Sequence, residues 1–198
     1  MSGIISDNVG RASGLVKAAG ASGTWVKILQ QIPSTSSSLE WKHGTNGCVI
    51  DSTYNTYCIV YTGAYSSTQN QLNVQVSPDT GVSYDTSGYY YMRHTSNYAT
   101  GSQTVTLATA TGQLMTVNQH NTINLGGSGL IYIYSPADAA LKTMGASYGL
   151  ETSDGTSNLR HQIGIGVHDT AEAIDAFRIL PTTGTLNGGI YTLYGIVH

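Results

Sequence analysis

Apolar and polar residues alternate with a period of two through most of the chain. In Leu72-Asn73-Val74-Gln75-Val76-Ser77, the residues Leu72, Val74 and Val76 fall on one face and Asn73, Gln75 and Ser77 on the other, as a half-buried strand requires. Pro78-Asp79-Thr80-Gly81 follows with turn chemistry, Pro presetting φ and Gly accepting a positive φ. The stretch from Tyr84 to Tyr89-Tyr90-Tyr91-Met92 is therefore predicted to return as the partner in a hairpin or meander. Further strands are predicted over 24–32, 56–61, 103–108, 113–117, 129–134, 143–148, 159–167, 173–180 and 189–197. No stretch repeats apolar residues at three and four over three turns, and the one helix predicted is short, over 137–141, where Ser135-Pro136 offers a cap and a first-turn proline. Connections such as Gly44-Thr45-Asn46-Gly47, Ser153-Asp154-Gly155-Thr156 and Asn187-Gly188-Gly189 separate the strands at the spacing of an antiparallel sandwich, not of alternating βαβ units. The expected fold is all-β: an antiparallel two-sheet β-sandwich, jelly-roll-like, over residues 24–198.

The two ends of the chain differ. Over 173–180, Phe177 and Ile179 share a face with Asp175, while Ile174, Ala176 and Leu180 share the other with Arg178, so both faces are largely apolar and an inner strand is predicted. Next, Ile190, Tyr194 and Ile196 align on one face and Tyr191 and Leu193 on the other, closing the sheet with the last element. Loss of the C-terminus is expected to unfold the domain. Residues 1–23 show no sustained period and are punctuated by Gly. Either they form a disordered terminus, or they form an arm in which Ile4, Ile5, Val9, Arg11, Leu15, Val16 and Lys17 order against a neighbouring subunit.

Composition narrows the partners. Only 10% of the 198 residues are charged and the formal net charge is −3, too little of either sign to build a phosphate-neutralising stripe, so no nucleic-acid partner is expected. No apolar run approaches the roughly 18–20 residues needed to cross a bilayer, and the start lacks the pattern of a signal peptide. Membrane insertion is not expected, and synthesis in a cytoplasm is. Cys48 and Cys58 are the only cysteines, without a second Cys or His pair at zinc-ligand spacing. A reducing compartment favours two half-buried thiols over a disulfide between them.

Several stretches look familiar together. Ser6-Asp7-Asn8-Val9-Gly10-Arg11-Ala12-Ser13-Gly14-Leu15-Val16-Lys17, Ala176-Phe177-Arg178-Ile179-Leu180 and the run from Gly184 to Ile196 resemble structural proteins of tailed bacteriophages, many known from aquatic viruses. Between them, Leu72 to Ser77, Gly81-Val82-Ser83-Tyr84, Tyr89-Tyr90-Tyr91 and Ile131-Tyr132-Ile133-Tyr134-Ser135-Pro136 resemble the central strands of the same family. The resemblance implies a virion component with a jelly-roll-like domain, labelled structural protein, tail fibre or head decoration, and seldom given an active site.

Candidate chemistry is sparse. His161 and His168 are the only histidines within one segment; their separation along a strand puts them on opposite faces, about 23 Å apart, so shared metal ligation is not expected. Asp79, Asp85 and Asp154 stand in turn contexts, where Asx turns explain them. There is no Gly-x-Ser-x-Gly elbow, phosphate loop or dinucleotide fingerprint, so neither catalysis, a cofactor nor a metal is expected. The fourteen tyrosines supply strand propensity and large buried area, or else an exposed Tyr, Asn and Ser surface for stacking and adaptable hydrogen bonds. On the second reading the loops 66–70, 93–101 and 153–158 are candidates, with Tyr65, Asn70, Arg93, Tyr98 and Asn158 as recognition residues.

These readings combine into one expectation. The chain is a structural component on the exterior of a tailed-phage virion, a decoration or fibre protein held to other capsid or tail proteins by its N-terminal arm, and a homo-oligomer, trimer favoured. The alternative is a tail-fibre module recognising host surface glycan. A polysaccharide-degrading enzyme is the third reading, and the chain is expected not to be one.

Overall fold

The computed structural model describes residues 24–110, 116–119, 126–153 and 158–197. The N-terminal arm with Ile4, Ile5, Val9, Arg11, Leu15, Val16 and Lys17, and the turn at Asp154, lie outside the described residues. The architecture is the all-β, antiparallel two-sheet sandwich that the alternation predicts. Its twelve strands are β1 (Trp25–Gln31), β2 (Leu39–Lys42), β3 (Thr56–Ser66), β4 (Asn70–Ser77), β5 (Tyr89–Asn97), β6 (Gln103–Ala110), β7 (Thr116–Gln119), β8 (Gly127–Tyr134), β9 (Lys142–Ser153), β10 (Asn158–Ala171), β11 (Ala176–Pro181) and β12 (Leu186–Ile196).

The large sheet runs β1-β12-β3-β8-β9-β10-β5-β6 and the small one β2-β11-β4-β7. Set aside the hairpins β5–β6 and β9–β10, and two four-stranded sheets remain, β1-β12-β3-β8 facing β2-β11-β4-β7, with the chain crossing between them at nearly every step. That is the strand order of a jelly roll. The two hairpins extend one of its sheets sideways into a four-stranded wing, β9-β10-β5-β6.

The jelly-roll body owes its existence to facing apolar rows. Tyr57, Ile59 and Tyr61 of β3, Ile131 and Ile133 of β8, and Tyr191 and Leu193 of β12 meet Leu39, Trp41, Leu72, Val74, Val76, Phe177 and Ile179 of the small sheet, all of them buried. Trp41, Phe177 and Val76 stand side by side across β2, β11 and β4, and the Tyr57 ring meets Phe177 edge-on at 5.7 Å. The buried Tyr57 hydroxyl is satisfied by backbone: it donates to the carbonyl of Asp51 and accepts from its N–H, both at 2.9 Å. As predicted, β11 is an inner strand and β12 divides its residues into a buried and an outer face, although β12 lies between β1 and β3, not at the edge. The backbone of Gly195 lies against the Tyr54 ring so closely that a Cβ there would stand 2.4 Å from its carbons.

Three expectations are corrected. The stretch 84–92 does not pair with β4: β5 joins β10 and β6 in the large sheet, while β4 pairs with β11 and β7. The turn chemistry after Ser77 is present, but the chain leaves it toward the other sheet. Residues 137–141 form turns, not a helix, because Asp138 accepts from the N–H of Ala140 at 2.9 Å through its carboxylate and Leu141 donates to the Asp138 carbonyl. The short strand β2 had no predicted counterpart.

Candidate functional site

The recognition residues expected from sequence are dispersed. Tyr65, half-buried, lays its ring on the backbone of Gly188, where a Cβ would stand 2.2 Å from the ring. Asn70 holds a turn: its amide donates to Thr68 Oγ1 at 3.2 Å and to the carbonyl of Thr183. Arg93 lies on the inner side of the wing, where the carboxamide oxygen of Gln71, turned to face it, accepts from its two Nη atoms at 2.5 and 3.1 Å. Tyr98 is exposed, 76% of its surface being free. Asn158 opens β10, and its side chain lies outside the described residues. Of the loop expected over 93–101, residues 93–97 belong to β5, and residues 154–157 lie outside the described residues. The register places the loops 67–69 and 98–102 at one end of the sandwich, because the pairs Leu186–Ser66, Ser128–Leu150, Asn158–Ser153 and Ser96–Gln103 all stand at that end. Three strand spacings separate β3 from β10, about 15 Å.

The outer face of the wing is the feature that sequence reasoning missed. Across the wing the inward positions are mostly small or polar and the outward ones mostly apolar, with Tyr89 and Tyr91 of β5 turned inward and His94 and His161 turned outward. Along β10, Arg160, Gln162, Gly164, Gly166 and His168 turn inward, whereas Leu159, Ile163, Ile165 and Val167 turn outward. Register then lines up Leu107, Met92, Ile165 and Ala146 in one row, and Val105, His94, Ile163 and Tyr148 in the next. Eleven large apolar side chains stand exposed on this face, from Tyr134 at 37% to Leu107 at 75%. Six of them, Tyr90, Met92, Leu107, Tyr134, Met144 and Ile165, line an open hollow of about 780 Å³. Among the described residues the face carries no charge except Lys142 and Asp169, which pair with each other at the strand ends.

The charges of the wing are on its other side. Arg160 meets Glu151 at 3.4 Å on the inward face, and Glu151 is buried. Toward the other end of β10, at the junction of wing and body, His168 contacts Asp85 and Glu172. Asp85 is thus corrected from a turn residue to a partner of a buried imidazole. Asp79 does hold its turn: hydrogen bonds from the Ser83 and Ser77 hydroxyls, and from the Ser83 backbone, hold its carboxyl down to about 2.

The outer face of the body is closed by its own aromatic rings. Trp25 packs on Tyr194 and Tyr132, at 5.5 and 6.2 Å, over the row that contains Cys58. Cys48 and Cys58 are both free thiols, and burial pushes them up to about 11 and about 12 respectively. No protein-family model matches the chain, and no curated protein matches it.

Proposed function

We propose that this protein is a structural component of a tailed-phage virion, displayed on the particle exterior as a decoration or fibre protein, and that it assembles with copies of itself through the outer face of the wing. The observation that carries the reading is that face. With about half of each of eleven side chains exposed, and ~150–200 Å² to a large apolar side chain, it offers on the order of 900 Å². That exceeds the ~300–600 Å² of the largest apolar patch on a typical monomer and matches the ~800 Å² per partner of a stable interface. Its near absence of charge leaves nothing to complement an acidic or basic partner, and argues for a surface that matches its own kind.

A closed homo-oligomer buries the wing of every copy without leaving an open end, and a trimer is the order we favour. The jelly roll is a frame used by viral capsid and lectin domains, and the motifs resembling phage structural proteins lie in its strands and at its N-terminus.

The test is to image virions from the phage that encodes the chain. Hundreds of copies spread over the shell are expected, together with loss of particle binding when residues 1–23 are removed. Absence from purified particles overturns the reading. A second reading, a receptor-binding tip, is favoured by one observation: two polar loops, 67–69 and 98–102, with the exposed Tyr98, share one end of the sandwich. Copies confined to a single vertex, with binding to host glycan that Tyr98→Ala weakens, would select it.

A further inference from the structure

We propose that Asp85, His168 and Glu172 form a binding site for a divalent transition-metal ion of the zinc or manganese class, which fastens the wing to the jelly-roll body. The three residues come from separate segments. Asp85 lies between β4 and β5, and its N–H donates to the carbonyl of Val76 in the small sheet. His168 stands near the end of β10 opposite Tyr89 of β5, and Glu172 follows β10 after the register shift beyond Val167. That shift lets the chain double back, so a residue four positions on faces the same imidazole.

Two carboxylates close on one buried imidazole, each at a different ring nitrogen. His168 is 1% exposed. Its Nε2 is 3.2 Å from Asp85 Oδ2 and its Nδ1 is 3.7 Å from Glu172 Oε1, yet neither Asp85 Oδ2 nor His168 Nδ1 has a hydrogen-bond partner. Each residue supplies one donor atom, and the three lie within 4.8 Å of one another. Ligand atoms around a tetrahedral ion with ~2.0–2.1 Å bonds are ~3.4 Å apart, close to the Asp85–His168 separation. A buried imidazole nitrogen and a carboxylate oxygen left without partners are costly, and a cation held among the three side chains, ligated through one nitrogen of the ring, relieves that cost.

One imidazole and two carboxylates suit zinc, manganese or cobalt better than calcium or magnesium, which prefer all-oxygen shells. The surroundings hold the ligands in place. The Tyr89 ring packs on the imidazole at 4.8 Å, and its hydroxyl bridges the wing to the body by accepting from Val76 N–H at 3.1 Å and donating to the Asp85 carbonyl at 3.2 Å. A bound ion would complete that bridge.

The experiment uses the full chain, stripped with EDTA and titrated calorimetrically with Zn²⁺, Mn²⁺, Ca²⁺ and Mg²⁺ at pH 7, with thermal unfolding followed in parallel. One Zn²⁺ or Mn²⁺ per chain and a raised melting temperature are expected. His168→Ala leaves a buried hole and can fail to fold, so Glu172→Gln and Asp85→Asn carry the test. Each should weaken binding at least tenfold while the metal-free protein melts no lower than wild type. Co²⁺ should give a visible ligand-field band that is lost in both variants. No binding, a response to Ca²⁺ or Mg²⁺ alone, or binding that survives both substitutions unchanged overturns the proposal.

Discussion

The jelly-roll body and the wing are built from the same kind of strand and share one continuous sheet, yet they turn opposite faces to water. In the body the apolar row points inward, Tyr57, Ile59 and Tyr61 meeting Trp41, Phe177 and Val74, and the outer row is roofed by Trp25, Tyr132 and Tyr194. In the wing the inward row is Arg160, Gln162, Gly164 and Gly166, and the apolar row Leu159, Ile163 and Ile165 is exposed. A sheet that reverses its polarity partway across has a core on one side at one end and an exposed apolar surface on the other side at the other end. The body is stabilised within the chain; on the function proposed above, the wing is completed by another copy.

Charge on the wing face breaks the comparison most completely. Leu107→Glu with Ile165→Glu is expected to give a folded monomer, because a carboxylate buried against an apolar copy is strongly unfavourable while the same carboxylate in water costs the isolated fold little. Light scattering gives the mass, and far-UV circular dichroism should be unchanged. The matching change in the body acts on folding: Phe177→Ala is expected to cost ~3–5 kcal/mol of unfolding free energy in urea, the range for removing a fully buried aromatic ring. Gly195→Ala should cost less, ~1–3 kcal/mol, since the Tyr54 ring must shift to admit a methyl group.

The smallest effect is a pH dependence confined to one turn. Asp79, held near 2 in the folded chain, steadies the turn after β4 only while ionised. Its folded pKa lies below its unfolded value, so its contribution is complete above ~4 and is lost as pH falls toward 2. The difference in urea midpoint between wild type and Asp79→Asn should therefore shrink over that interval; a difference that stays constant would assign the turn's stability elsewhere.

Much of the body was legible in the chain. The alternation over Leu72–Ser77 marks β4, and the doubly apolar run around Phe177 marks an inner strand, because burial on one or both faces writes itself directly into the residue pattern. Four residues, Leu39-Glu40-Trp41-Lys42, are too few to show a period, so β2 escaped. The wing was legible as strands but not as an inverted surface. Alternation in Gln162-Ile163-Gly164-Ile165 says that the two faces differ, not which of them meets the core, and that choice depends on what packs behind. The partnership of Asp85 with His168 was equally hidden, since it exists only once β5 leaves β4 for the other sheet and pairs with β10.

Sedimentation equilibrium of the purified full-length chain at micromolar concentration tests the role of the wing most directly. A mass three times that of the 20.9 kDa chain is expected, with hydrogen exchange slowed along the backbone of β6, the outermost wing strand. A stable species of 20.9 kDa whose wing strands exchange freely would show that the apolar face is not an assembly surface, and would contradict the account.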